Sequence, residues 1–111
     1  MSSIGLKKKS IETVVYLLNQ LEVNGFLPVI ARNYENFPDF NHDLDLFVVG
    51  ELETLIPIFY QVAKKLRWDH LTLCTHYANH KNDNLNIFAF RFHHLNPLQT
   101  LQVDLFGGYI L

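Results

Sequence analysis

Asp43-Leu44-Asp45 is the tripeptide with the clearest chemical content in this chain. It opens a strongly hydrophobic run through Leu44, Leu46, Phe47, Val48 and Val49, so it reads as the start of a strand. Alternate residues of a strand project to one face, which puts both carboxylates on the same side, roughly 6–7 Å apart between Cα atoms. Two like charges so placed repel one another, and a partly buried pair is unfavourable on its own. A divalent cation turns that cost into a gain, and magnesium suits oxygen donors. Asp104 sits within Leu101-Gln102-Val103-Asp104-Leu105-Phe106, where a carboxylate flanked by apolar strand residues needs a partner. If that strand lies beside the Asp43 strand, all three carboxylates converge. Pattern alone leaves two readings open. One is a metal site. The other is a set of structural aspartates, with Asp43 accepting loop amide hydrogen bonds and Asp104 paired with Arg32 or Arg91.

The elements that must position these residues can be read from periodicity. Ser10 is a good helix N-cap, and Ile11, Val14, Val15, Leu17, Leu18 and Leu21 follow at helical spacing. Asn24-Gly25 ends that helix, because glycine accepts the left-handed conformation. Phe26 to Ala31 reads as a buried strand, and Asn33 to Asn41, with Pro38 and Asp39, as a loop. The Asp43 strand closes at Gly50. Leu55, Ile56, Phe59, Val62, Ala63 and Leu66 mark a second helix, with Pro57 in its first turn and Lys64, Lys65 and Arg67 at the negative end of its dipole. His70 to Tyr77 and Leu85 to Phe92 read as strands joined through the polar run Asn79 to Asn84. His93 to Pro97 reads as a loop and Leu98 to Phe106 as the last strand. The order of helix, two strands, helix, three strands gives an α/β (α+β) domain. Its sheet is mixed, about five strands wide, with two helices packed on one face.

Composition narrows the function classes. A chain of 111 residues suits one domain, and nearly half its residues are hydrophobic, enough for a core. A formal net charge of −2 argues against a long nucleic acid held by a broad basic surface, while leaving room for a nucleotide site. Cys74 is the only cysteine, so no intrachain disulfide forms and a reducing, cytoplasmic setting fits. No apolar run reaches membrane-spanning length and no signal-peptide pattern opens the chain. Lys7-Lys8-Lys9 reads as a solvated approach to the first helix. The apolar ending Gly107-Gly108-Tyr109-Ile110-Leu111 points to a segment of a longer protein, or to a minimal domain whose end is covered by a partner chain or a following domain.

His42-Asp43-Leu44-Asp45-Leu46-Phe47-Val48-Val49 resembles the paired-aspartate strand of the nucleotidyltransferase superfamily, which includes polymerase-β-like enzymes and minimal nucleotidyltransferases. Gln102-Val103-Asp104-Leu105-Phe106 is similar to the strand that carries the third carboxylate of that family, and the element order matches over most of the chain. The resemblance implies a two-metal site of magnesium ions held by Asp43, Asp45 and Asp104. A nucleoside triphosphate would be the substrate, and Asp104 would be both ligand and base. It implies transfer of a nucleoside monophosphate to a hydroxyl of a small molecule or protein. Where the family usually has Gly-Ser, this chain has Ala31-Arg32-Asn33. Arg32 could then bind phosphate through its guanidinium fork and Asn33 through its amide. The same departure motivates an alternative, a catalytically inactive nucleotidyltransferase-like module that binds a ligand or partner.

The remaining chemistry-bearing residues give weaker signals. His76 and His80 are four apart in a strand-like segment, a spacing that does not make adjacent ligands, and His93-His94 reads as loop surface. No zinc site is expected from them. Trp68 and most phenylalanines read as core. Tyr34 and Phe37, in the loop before the aspartates, are the stacking candidates, with anchoring of that loop as their other reading.

Overall fold

The computed structural model describes residues 3–32, 43–80 and 83–109, and within them the side chains of residues 7–30, 43–76 and 86–107. A helix α1 (Ser3–Val23) leads into strands β1 (Val29–Arg32) and β2 (Asp43–Phe47). A 3-10 turn (Leu52–Leu55) and helix α2 (Ile56–Lys65) follow, then strands β3 (His70–His80), β4 (Asp83–Leu95) and β5 (Leu98–Tyr109). The five strands form one mixed sheet in the order β1-β2-β5-β4-β3. Only β2 and β5 run parallel; the other pairs are antiparallel. No helix among the described residues is long and apolar enough to cross a membrane.

The helix-bearing face of the sheet is built by strict alternation. Leu44 and Leu46 of β2, Leu101, Val103 and Leu105 of β5, and Phe88, Phe90 and Phe92 of β4 are all fully buried there. Helix α2 lays Phe59 against Phe90, with ring centroids 3.8 Å apart and nearly parallel planes. Burying a side chain of this size contributes about 1.5–3 kcal/mol, so this face carries most of the stability. Helix α1 sends Val14, Leu17 and Leu21 to the same core.

Several local expectations change in physically instructive ways. Ser10 is not an N-cap. It is buried inside α1, and its hydroxyl accepts a 2.7 Å hydrogen bond from Gln99 Nε2. Leu6 and the three lysines are good helix formers, so the helix runs past Ser10 to Ser3 despite Gly5. The lysines are accordingly helical. Lys9 is tied down: its Nζ donates to the Arg67 carbonyl at 2.8 Å and lies 5.0 Å from the Trp68 ring centre. The inward stripe of α1 includes polar Ser10 and Thr13, and Val15 is displaced to the half-exposed side. Thr13 is satisfied there by donating to Lys9 O at 2.7 Å and accepting from Trp68 Nε1 at 2.9 Å.

The helix stop at Asn24-Gly25 is as expected. Gly25 has φ +88, Gly25 N donates to Glu22 O and Phe26 N to Leu21 O, the paired bonds of a glycine C-cap. Arg67 occupies the equivalent left-handed position after α2, with φ 59. The strand after Gly25 is shorter and less buried than its composition suggests. Pro28 lacks an amide proton, β1 begins only at Val29, and as an edge strand it leaves Leu27 and Val29 exposed. The strands β3 and β4 pair all the way to His80 opposite Asp83, so most of the expected polar connection is ladder. His93 and His94 likewise belong to β4, not to a loop. The expected loop 33–41, with Tyr34 and Phe37, lies outside the described residues.

Gly107 shows a close approach that only glycine permits. A Cβ added there would stand 2.6 Å from Leu52 Cδ2 and 2.7 Å from Leu52 Cγ, and Leu52 is itself buried. We predict that Gly107→Ala lowers stability by about 1–3 kcal/mol through overpacking. Leu52→Ala in the same chain should recover part of that loss, because the two positions share one space. Chemical denaturation of both single variants and the double variant checks this; strictly additive losses would refute it.

Candidate functional site

The opposite face of the sheet carries no described helix, and register sorts its residues into transverse rows. Asp45 of β2 stands directly opposite Asp104 of β5, and Asp43 opposite Gln102. Gln102 in turn pairs with Arg91 of β4, which pairs with Thr72 of β3. The neighbouring row holds Thr100 and His93. Because β2 and β5 are parallel and in register, side chains two apart on each strand form a compact block on one face. The expectation that the Asp104 strand lies beside the Asp43 strand therefore holds.

The three carboxylates are unequal. Asp43 is exposed, Asp45 is only 4 % exposed, and Asp104 is half-buried. Burial is the main force raising the Asp104 carboxyl above its ordinary value. The Gln102 amide opposes this, while the Asp45 charge, a hydrogen bond shared with Asp45 and the Asp43 charge push it further up.

Gln102 organises the rest. Its Nε2 donates to both oxygens of Asp104, at 3.0 and 3.2 Å, and its Oε1 accepts from Arg91 Nε at 3.0 Å. The direct Asp104–Arg91 pairing considered from the sequence is thus replaced by a relay through an amide. The signal for Gln102 was its two-residue offset from Asp104, the same spacing that joins Asp43 to Asp45. His93 bridges two hydroxyls, with Nε2 3.0 Å from Thr72 Oγ1 and Nδ1 3.2 Å from Thr100 Oγ1. An open groove of about 470 Å³ is lined by Asp43, Leu98, Gln99, Thr100 and Gln102 at the start of β2. The backbone of Arg32 pairs with Asp45 across a bulge in β1. The Arg32 side chain and all of Asn33 lie outside the described residues.

Among the described residues, no group of three or more His, Cys, Asp or Glu side chains is disposed to hold a metal ion as it stands. The donor chemistry is nonetheless that of a hard cation, since Asp43, Asp45 and Asp104 offer only oxygen. The same-face placement fits the group on chemistry. Convergence of the oxygens would require the Gln102 bonds on Asp104 to yield.

The raised Asp104 pKa has a thermodynamic consequence. The folded protein holds that proton more tightly than the unfolded chain does. Its contribution to stability is complete below the unfolded carboxyl pKa and is lost as pH rises through the higher folded value. In metal-free buffer we predict that Asp104→Asn loses this part of the pH dependence and is at least as stable as the parent at neutral pH. Thermal melts of both proteins from acid to neutral pH measure it. A variant that is much less stable at neutral pH would show that the charged Asp104 is a structural partner instead.

No protein-family model matches the chain and no curated protein matches it, so the functional reading rests on these residues and their placement.

Proposed function

We propose that this chain is a metal-dependent nucleotidyltransferase that moves a nucleoside monophosphate from a nucleoside triphosphate to a hydroxyl of a small molecule or protein, in a reducing, cytoplasmic setting. The observation that carries the proposal is the row of carboxylates on the helix-free face: Asp45 directly opposite Asp104 on adjacent parallel strands, with Asp43 on the same face. The likeness of both strands to the paired-aspartate and third-carboxylate strands of nucleotidyltransferases supports it.

In this reading Asp43 and Asp45 bind magnesium, and Asp104 is both ligand and base. Bound magnesium supplies charge stabilisation at the transferred phosphorus and orientation of the triphosphate. Asp104 takes the proton of the acceptor hydroxyl as that oxygen bonds to the α-phosphorus. The bond to the departing pyrophosphate breaks on the opposite side. Gln102 holds the Asp104 carboxyl in one orientation, and Arg91 holds Gln102. A carboxylate whose proton affinity is raised by burial is a better base than an exposed one, provided it is ionised at the working pH. Arg32 and Asn33 supply cation and amide donors to the triphosphate in place of the small residues usual there.

A second reading, an inactive module of the same fold that binds a ligand or partner, is favoured by one feature. Both oxygens of Asp104 already accept from Gln102, and no described group of three or more possible ligands is poised for metal.

Isothermal titration with nucleoside triphosphate and magnesium tests the proposal, and absence of binding by the folded protein would sink it. Magnesium should raise the melting temperature by binding the native cluster. Asp43→Asn combined with Asp45→Asn should abolish that shift, and a surviving shift would place the metal elsewhere. Asp104→Asn should keep a near-native melt and lose about 10²–10⁴-fold in pyrophosphate release, the usual worth of a general base. Unchanged turnover would remove Asp104 from the chemistry.

A further inference from the structure

Next to the carboxylate row, the helix-free face carries an apolar one. Register aligns Val29 of β1, Phe47 of β2, Phe106 of β5 and Ile87 of β4 across the sheet. Phe47 and Phe106 are each two residues beyond a carboxylate, Asp45 and Asp104 respectively, on the same faces of the same strands. Their rings form a pair, with centroids 5.4 Å apart and planes inclined at 41°. Phe47 is 37 % exposed and Phe106 half-buried, so the pair presents ring surface to solvent, unlike Phe88, Phe90 and Phe92 on the other face.

We propose that Phe47 and Phe106 form the stacking platform for the nucleobase of the bound triphosphate. This rests on the nucleotidyltransferase reading and adds the part of the substrate that the carboxylates cannot recognise. Two strand residues advance by roughly 6.5–7 Å, comparable to the span a ribose puts between a phosphate and its base. A phosphate held at Asp45 and Asp104 therefore leaves its base over the aromatic pair. The opposite end of the block opens into the groove lined by Asp43, Thr100 and Gln102. Base and acceptor would then approach the carboxylates from opposite ends without competing for space. No polar side chain stands in the aligned row beyond His76, which pairs with Ile87 at the β3 edge. Recognition by ring faces of this kind tolerates every base, so the platform should bind without strong base preference.

Calorimetric binding in magnesium buffer distinguishes the possibilities, using a purine nucleoside triphosphate and ribose 5-triphosphate, which keeps sugar and phosphates but lacks the base. The parent should bind the nucleotide on the order of tenfold to a hundredfold more tightly than the abasic probe, the worth of one stacked base. Phe47→Leu, which keeps apolar cover and removes the π-face, should erase most of that difference and leave affinity for ribose 5-triphosphate unchanged. Phe47→Tyr should preserve it. Because Phe47 is the more exposed ring, both variants should melt like the parent; if Phe47→Leu does not, Phe106→Leu serves as the second test of the pair. Equal parental affinity for the two probes, or a base contribution that survives the loss of both rings, would overturn the platform and leave the carboxylate reading standing. Binding of neither probe would overturn both.

Discussion

The parallel, in-register pairing of β2 with β5 is the constraint on which the rest depends. Strand side chains alternate with a period of two, so a one-residue slip would carry Asp45 or Asp104 into the core and a leucine onto the open face. The register is held from the other side of the sheet, where Leu44 faces Val103 and Leu46 faces Leu105, all of them fully buried. Each such side chain contributes about 1.5–3 kcal/mol. A like-charge pair about 4 Å apart at an effective dielectric of about 20 costs about 4 kcal/mol. The apolar face wins. The core thus forces together two carboxylates that electrostatics alone would separate.

That division of labour runs through the molecule. Helices α1 and α2 cover one face and are locked to each other by Trp68, which is buried, donates to Thr13 and lies beneath Lys9. Partial burial lowers the Lys9 pKa, the Asp69 charge opposes this, and Arg67 adds to it. With stability concentrated on the helix side, the open face can hold polar and charged rows. Those rows are organised by side-chain hydrogen bonds: Arg91 to Gln102 to Asp104, and Thr72 to His93 to Thr100. Such relays fix side-chain directions while adding little to stability, since a typical hydrogen bond nets only about 0.5–1.5 kcal/mol.

What the sequence disclosed follows from the same physics. The order of elements and the two helices on one face were legible, because period-two and period-3.6 patterns report which face is buried. The adjacency of the Asp43 and Asp104 strands stood only as a condition, since periodicity carries no signal for which strands are neighbours. The start of α1 was not. Ser10 has the chemistry of an N-cap, and only tertiary contact with Gln99 explains a buried serine within a helix. Val15 misled for the complementary reason: α1 turns the polar pair Ser10 and Thr13 inward, an orientation no hydrophobicity pattern reveals. The polar pair His93-His94 just before Asn96-Pro97 has the composition of a loop, yet the chain turns only at Asn96-Pro97, so both histidines remain in β4. Gln102 was visible as the polar half of an alternating strand. Its part in joining Arg91 to Asp104 depends on which strand flanks β5, and topology decides that.

The aspartates of the tripeptide differ in a way their spacing does not express. Asp43 begins β2, is exposed and borders the groove, so water screens its charge. Asp45 is two residues further into the sheet, nearly inaccessible and directly opposite Asp104. The like-charge contact of the site therefore sits mainly in the Asp45–Asp104 pair, and the raised proton affinity of Asp104 comes first from burial, with the Asp45 charge adding to it. Gln102 lies between the two environments, opposite exposed Asp43 and donating to half-buried Asp104. Its donated hydrogen bonds favour the charged form of Asp104 and so oppose the burial that raises its proton affinity; with the amide turned away, the carboxyl would be protonated more readily. The two functional readings differ in whether the two Asp104 oxygens stay on Gln102 or turn to a cation, and the backbone that presents Asp104 is the same for both.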